Sequence, residues 1–186
     1  MIQDHDRSGW FGASDTAMIV GNWNTKTFEK WWLQKLGINR DSFETVYTVA
    51  GTHWEHRILE SLRLPRMTLD RQILVPSLSL RVNLDGDTGY RIYECKTHKA
   101  EKPWKSTPKH YVQQVQVQMF VSGIREAEIV AYAMQEADYQ NFLREIDPRR
   151  LREIPVPYDP RFIDSVYLPR LRILSECLKR GAFPRG

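Results

Sequence analysis

The stretch LRVNLDGDTGYRIYECKT, residues 80–97, decides the fold. Both of its ends are rich in β-branched, aliphatic and aromatic residues, while D-G-D at 85–87 and Gly89 carry turn chemistry. It reads as two strands, 78–84 and 90–97, joined by a turn at 85–89, with a further strand at 72–75 before them. In the second of the pair, alternation puts Ile92, Glu94 and Lys96 on one face and Tyr93 and Cys95 on the other. Glu94 and Lys96 are then neighbours, roughly 7 Å apart at the backbone. A hairpin would bring Asp85, at the end of the preceding strand, beside Glu94, so two carboxylates and an ammonium group converge.

Upstream the chain reads as helical. Ser14 can cap a short helix running to Val20, which Gly21 and Asn22 break. Thr27 can cap a second, with Phe28, Trp31, Trp32 and Lys35 at helical spacing until Gly37 ends it. A third is expected to follow Gly51 and stop before Pro65, with Ile58, Leu59 and Leu62 on one stripe. Downstream, Thr107-Pro108 opens a helix to about Ser122, with Gly123 at its exit. A strand at 128–134 follows, then a short helix suggested by Tyr139, Phe142, Leu143 and Ile146, and a strand at 151–157. A C-terminal helix breaks or kinks near Pro169. The sum is an α/β or α+β domain, a central mixed sheet flanked by helices, with residues 1–186 forming one domain.

The bulk composition excludes several classes. Six Trp, eight Tyr and seven Phe argue against disorder. No apolar run approaches the ~20 residues of a membrane span, and the polar start at 1–7 is unlike a signal peptide, so a cytoplasmic location is expected. Cys95 and Cys177, the only cysteines, make neither a zinc ribbon nor a disulfide framework, and His53, His56, His98 and His110 lack zinc spacing. A net charge of +4 is compatible with a polyanionic partner. Two basic clusters stand out, one carrying Lys96, Lys99, Lys102, Lys105 and Lys109, the other running over 144–152. Either is equally readable as solvated surface. Trp104, between Lys102 and Lys105, can stack on a nucleobase or anchor its own loop.

Glu55 adds a third acid. It shares the stripe of Ile58, Leu59 and Leu62 that faces the core. If Glu55, Asp85 and Glu94 meet at about 5 Å, each like-charged pair costs ~3 kcal/mol at an effective dielectric of about 20, and three pairs approach ~10 kcal/mol. That rivals the stability of a domain, so protons or a cation must neutralise the cluster. Oxygen ligands point to a hard ion, Mg²⁺ or Mn²⁺, with the backbone carbonyl of Cys95 as an extra ligand. Such a site suits phosphodiester hydrolysis, with Lys96 orienting the attacking water.

The motifs G-T-H-W-E (51–55), N-L-D-G-D (83–87), E-C-K (94–96) and Q-V-Q (114–116), in that order, resemble the PD-(D/E)xK nuclease superfamily and its phage recombination branch, the lambda exonuclease and YqaJ-type viral recombinases. G-A-S-D (12–15), with Arg7 ahead of it, resembles the start of that family, and the resemblance spans most of the chain, up to Tyr132. It implies a restriction-endonuclease-like core, catalytic Asp85, Glu94 and Lys96, and Glu55 as a helix-borne metal ligand. It further implies a pocket of Arg7, Ser14 and Gln114 for a 5′-terminal phosphate. Asn83 stands where lambda exonuclease has a serine, which puts that contact in question.

The activity implied is Mg²⁺- or Mn²⁺-dependent digestion of linear double-stranded DNA, 5′ to 3′, in phage-type recombination or end resection. A ring-shaped homotrimer, a single-strand annealing partner and a phage-infected or prophage-bearing bacterial host come with the resemblance. The competing readings are a structure- or sequence-specific endonuclease of the same superfamily and a non-catalytic DNA-binding module.

Overall fold

The computed structural model describes residues 8–39 and 46–184, the backbone alone being described at 46–49. Arg7 therefore lies outside the described residues. A five-stranded mixed sheet runs in the order β1 (Thr68–Val75), β2 (Leu80–Asp87), β3 (Arg91–Lys99), β4 (Glu126–Met134) and β5 (Leu151–Pro157). Only β3 and β4 are parallel, because helix α4 (Lys109–Ser122) carries the chain back between them; the other neighbours are antiparallel. This is the expected mixed sheet with flanking helices.

Alternation along the central strands divides the interior in two. Ile92 and Ile129 face a cluster formed with α1 (Thr16–Val20), α2 (Lys26–Lys35), α4 and α6 (Leu168–Lys179), centred on Ile19, Trp32, Val117 and Leu171. Tyr93, Cys95 and Val130 face the other cluster, where α3 (Val46–Ser61) buries Trp54, Ile58 and Leu59. The stripe expected on α3 is thus the one that packs on the sheet.

Several boundaries differ from expectation. Thr25 rather than Thr27 caps α2, accepting the Phe28 N–H at 3.1 Å. Ser14 does not cap the first helix: a 3₁₀ turn, Ala13–Asp15, precedes α1, and the Asp15 carboxylate accepts the Gly12 N–H at 2.7 Å. Helix α3 starts at Val46 and runs through Gly51, since tertiary packing outweighs the weak propensity of one glycine. The helix expected around Tyr139–Ile146 shrinks to α5 (Glu136–Gln140), leaving Leu143 84% exposed. The break near Pro169 is a π-helical turn, Phe162–Tyr167, that leads into α6.

The most consequential difference lies at D-G-D. Asp85, Gly86 and Asp87 belong to β2, and the turn lies beyond them at Thr88–Tyr90. Asp87 closes that turn by accepting the N–H of Gly89, whose φ of +87° suits only glycine, at 2.9 Å. Gly86 serves a close approach: a Cβ there would stand 2.9 Å from Met67 Sδ and 3.2 Å from Leu59 Cδ1. Leu84 packs in the first cluster while Gly86 looks toward residues of the second, so alternation along β2 is broken at Asp85. Opposite, Asp70 of β1 has φ +56°, and the rung between Asp70 and Asp85 is missing from the register.

Candidate metal centre and cleft

β2 and β3 are paired only at Gly86–Tyr93 and Asp87–Ile92. Beyond these rungs the strands part, and the Asp85 carboxylate stands in for the lost backbone acceptor, taking the Cys95 N–H at 2.8 Å. A cleft of about 310 Å³ opens there. Glu55 from α3, Asp85 from β2, and Glu94 and Lys96 from β3 line it. Glu55 comes from the helix on the opposite side of the sheet from α4, and the parting of the strands lets acids from both sides share one space.

Glu94 is fully buried. One carboxylate oxygen accepts from the Lys96 ammonium and the Gln114 amide, the other from the Gln118 amide. The Lys96 ammonium also sits 5.1 Å from the centre of the Tyr111 ring. Burial alone would lower the Lys96 pKa, but the Glu94 and Asp85 carboxylates outweigh it and hold the lysine above its ordinary range. It is therefore a fixed positive charge at neutral pH.

The acids respond in the opposite sense. Burial, then repulsion from Glu94 and Glu55, pushes Asp85 well above the usual carboxylate range. Burial, then repulsion from Glu94, raises Glu55 from 4.5 to about 7. Glu55 also meets a second pair of groups: its carboxylate, His56 and Asp70 offer ligand atoms that all lie within 4.8 Å of one another, and His56 Nε2 is 3.0 Å from Asp70 Oδ2. Asp85 and Glu94 stand outside that tight group, Asp85 feeling the Glu55 charge and Glu55 that of Glu94. The donor set, carboxylate oxygens whose ionisation is opposed by burial and by one another, fits a hard divalent cation. Sequence reasoning singled out neither Asp70 nor a role for His56, because the turn-like conformation of Asp70 inside a strand has no local sequence signature.

A stability profile follows from Glu55. Its folded-state pKa lies above 4.5, so the native state holds the proton more tightly than the unfolded chain does. This contribution is complete below pH 4.5 and is lost as pH rises toward 7. With EDTA, stability is expected to fall across that window by about 2 kcal/mol once the partial exposure of Glu55 is allowed for, read as a lower melting temperature, and Mg²⁺ should restore it. A melting profile that is flat with pH and indifferent to Mg²⁺ would rule out the coupling.

The cleft is also lined by Trp10, Ser14, Asp15, Lys35, Arg81 and Asn83. Ser14 and Gln114, expected at a phosphate pocket, both border it, as does Asn83. The Asn83 side chain accepts from Gln72 at 3.1 Å while its carbonyl accepts from Gln118. Asp15 is a buried hub: it accepts from Gly12 N–H and from Trp31 Nε1 at 2.8 Å and pairs with Lys35 at 2.6 Å. The stacked rings of Phe11, Phe28, Trp31 and Trp32 fix α2 under this wall. Lys35 was read only as part of the α2 stripe, and Arg81 was missed because nothing in its spacing marks it. Cys95 contributes its N–H to Asp85, and its thiol faces the α3 side, where burial raises its pKa.

The basic clusters divide. Lys102, Lys105 and Lys109 are exposed, whereas Arg144 and Arg150 both turn onto buried Asp138. Trp104 packs between His98 and Tyr111, with ring centres 5.1 and 5.3 Å away, so it anchors its own loop. Among the described residues no helix is long and apolar enough to cross a membrane.

The profile of the YqaJ-like viral recombinase domain matches residues 4–125. The chain belongs to this family. No curated protein gives a significant sequence match. Among solved structures, the alkaline exonuclease LHK-Exo from Laribacter hongkongensis aligns with TM-score 0.64 and 20% identity over 94% of this chain and 93% of that one. Its complex with dAMP gives TM-score 0.66 and 17% identity over 94% and 90%. A phage related exonuclease from Haemophilus somnus 129PT gives 0.61 and 14% over 92% and 95%. The matched YqaJ-like segment contains Glu55, Asp85, Glu94, Lys96 and Gln114 and stops short of β4, while the structural likeness carries the shared fold through β4, β5 and α6.

Proposed function

We propose that this YqaJ-like domain is a divalent-cation-dependent deoxyribonuclease that degrades linear duplex DNA from 5′ ends. The observation that carries the reading is the parting of β2 and β3, which places Asp85, Glu94 and Glu55 in one cleft beside Lys96. The names of the structural relatives, both exonucleases, support it. Glu55, Asp85 and Glu94 would hold Mg²⁺ or Mn²⁺, with the Cys95 carbonyl as a further ligand. The bound cation would supply Lewis-acid stabilisation of charge on the scissile phosphate and would acidify the attacking water.

The chain's own residues do the rest. Lys96, charged at working pH and held between Glu94 and the Tyr111 ring, orients the nucleophile and offsets negative charge. Ser14 and Gln114, both bordering the cleft, would grip a terminal phosphate together with Arg7, and Asn83 would flank it. Gln114 donates to Glu94, so it would exchange that bond for substrate. The exposed lysines at 102, 105 and 109 supply backbone neutralisation along duplex DNA. The reading includes one nuclease domain over 1–186, a homo-oligomer of the ring-trimer kind, a single-strand annealing partner and a cytoplasmic, phage-associated setting.

The test is nucleotide release from three substrates in Mg²⁺, a circular duplex and a linear duplex with or without a 5′ phosphate, and the same set with Glu94→Ala. Release confined to linear DNA, favoured about tenfold or more by the 5′ phosphate and absent from Glu94→Ala, is expected. Cutting of circles would assign an endonuclease instead. Equal release by both proteins, or none by either, would remove the enzyme.

A further inference from the structure

Gln118 lies on α4, one turn after Gln114, and is fully buried. A buried amide is costly unless its hydrogen-bonding groups are matched. Its nitrogen has two partners: the Glu94 carboxylate on β3 and the Asn83 carbonyl on β2, the latter at 3.1 Å. Both partners are pure acceptors, so the amide orientation is decided by chemistry, since the flipped form would set an oxygen against a carboxylate and a carbonyl. The consequence is that Gln118 Oε1 is buried with no partner. An apolar side chain of similar shape would avoid that orphaned acceptor, so the amide must be doing something that packing alone does not require.

Its place in the sheet indicates what. The β2–β3 ladder stops at Gly86–Tyr93, and Asn83 and Glu94 lie beyond its end on strands that have parted. Gln118 ties these two points together through one nitrogen, and Asp85 projects from the strand between them. Gln114 borders the cleft and can exchange its partner for substrate; Gln118, sealed in the interior, cannot.

We propose that Gln118 is a positioning residue that sets the gap between β2 and β3 and thereby the spacing of Asp85 and Glu94 as a divalent-cation pair. The proposal rests on the reading of those carboxylates as cation ligands. Gln116 provides the control. It is also a buried glutamine of α4, but it bonds the Pro157 carbonyl and the Asp159 N–H, away from the cleft.

The experiment is calorimetric titration of Mn²⁺ into DNA-free protein, with the Mg²⁺ concentration for half-maximal DNA hydrolysis measured alongside. The variants are Gln118→Met, Gln118→Leu in case the first does not fold, Gln116→Met and Glu94→Ala. Gln118→Met should weaken Mn²⁺ binding about tenfold or more and raise the half-saturating Mg²⁺ in parallel, leaving the KM for DNA unchanged. Gln116→Met should lower the melting temperature without moving either cation constant. Wild-type cation affinity in Gln118→Met or Gln118→Leu overturns the positioning role, as does a loss matched by Gln116→Met. If Glu94→Ala also binds Mn²⁺ like wild type, the carboxylate reading itself fails and the proposal falls with it.

Discussion

Lys96→Met is expected to retain less than about one-thousandth of the wild-type rate of DNA hydrolysis at saturating Mg²⁺, with DNA affinity little changed. Glu94 is fully enclosed and Lys96 is 20% exposed at the side chain, with its ammonium on the Glu94 carboxylate. Methionine keeps the length of the stem against Tyr111 and removes the charge. Two consequences separate. Without divalent cation, Glu94 loses its counter-charge beside Asp85, and breaking such a pair costs about 3 kcal/mol. Mg²⁺ can make good that loss, because a cation among the carboxylates neutralises them as the lysine did. It cannot replace an ammonium that, in the proposed function, orients the nucleophile. Lys96→Met should therefore melt early in EDTA, recover stability in Mg²⁺, and remain inactive there. A variant within about tenfold of wild-type activity in Mg²⁺ would remove Lys96 from the chemistry.

The same residues show what could be read from sequence and why. β3 was legible because its alternation is complete: Ile92 and Glu94 fall on one face, Tyr93 and Cys95 on the other, as period-two logic requires. Glu55 was legible because Ile58 and Leu59, on its stripe, are both fully buried. Asp85 was placed at a turn because D-G-D has turn chemistry, yet Gly86 is there for Leu59 and Met67, side chains brought by α3 and the segment after it. That reason is tertiary and leaves no local mark. The glutamines are a similar case. Gln113, Gln114, Gln116 and Gln118 look alike in sequence, and only the sheet beneath α4 decides that Gln118 meets Glu94 while Gln116 meets the β5 end. The helix expected across 139–146 failed for another reason: Arg57 of α3 takes the carbonyls of Phe142 and Arg144, so these groups turn outward from a helical path.

That last contact leads to the second large effect, Asp138→Ala. Asp138 is fully buried, and its carboxylate accepts from Arg144 at 2.9 Å, from Arg150 and from the Gln135 N–H at 2.7 Å. Removing it takes the buried counter-charge from Arg144 and from Arg150, which keeps only the Ala133 carbonyl and a longer contact to Asp147, and takes the acceptor from one N–H at the start of α5, a loss of about 3 kcal/mol and a fall in melting temperature of about 10 °C. The effect should also reach the cleft. The Asp138 carbonyl accepts the Trp54 indole N–H at 3.1 Å, Arg57 stacks on Trp54 and bonds the 142–144 carbonyls, and His53 stacks on Phe142 at 4.7 Å. These ties all grip the turns of α3 that present Glu55. Loosening them should displace Glu55 and lower the response to Mg²⁺ even well below the melting temperature. The check is to compare Asp138→Ala with a variant of equal stability loss elsewhere, such as Leu171→Ala in the first cluster, which lies remote from α3. Equal Mg²⁺ dependence in the two would confine Asp138 to stability, whereas a weaker Mg²⁺ response in Asp138→Ala alone would show that the loop after β4 holds the helix-borne carboxylate in place.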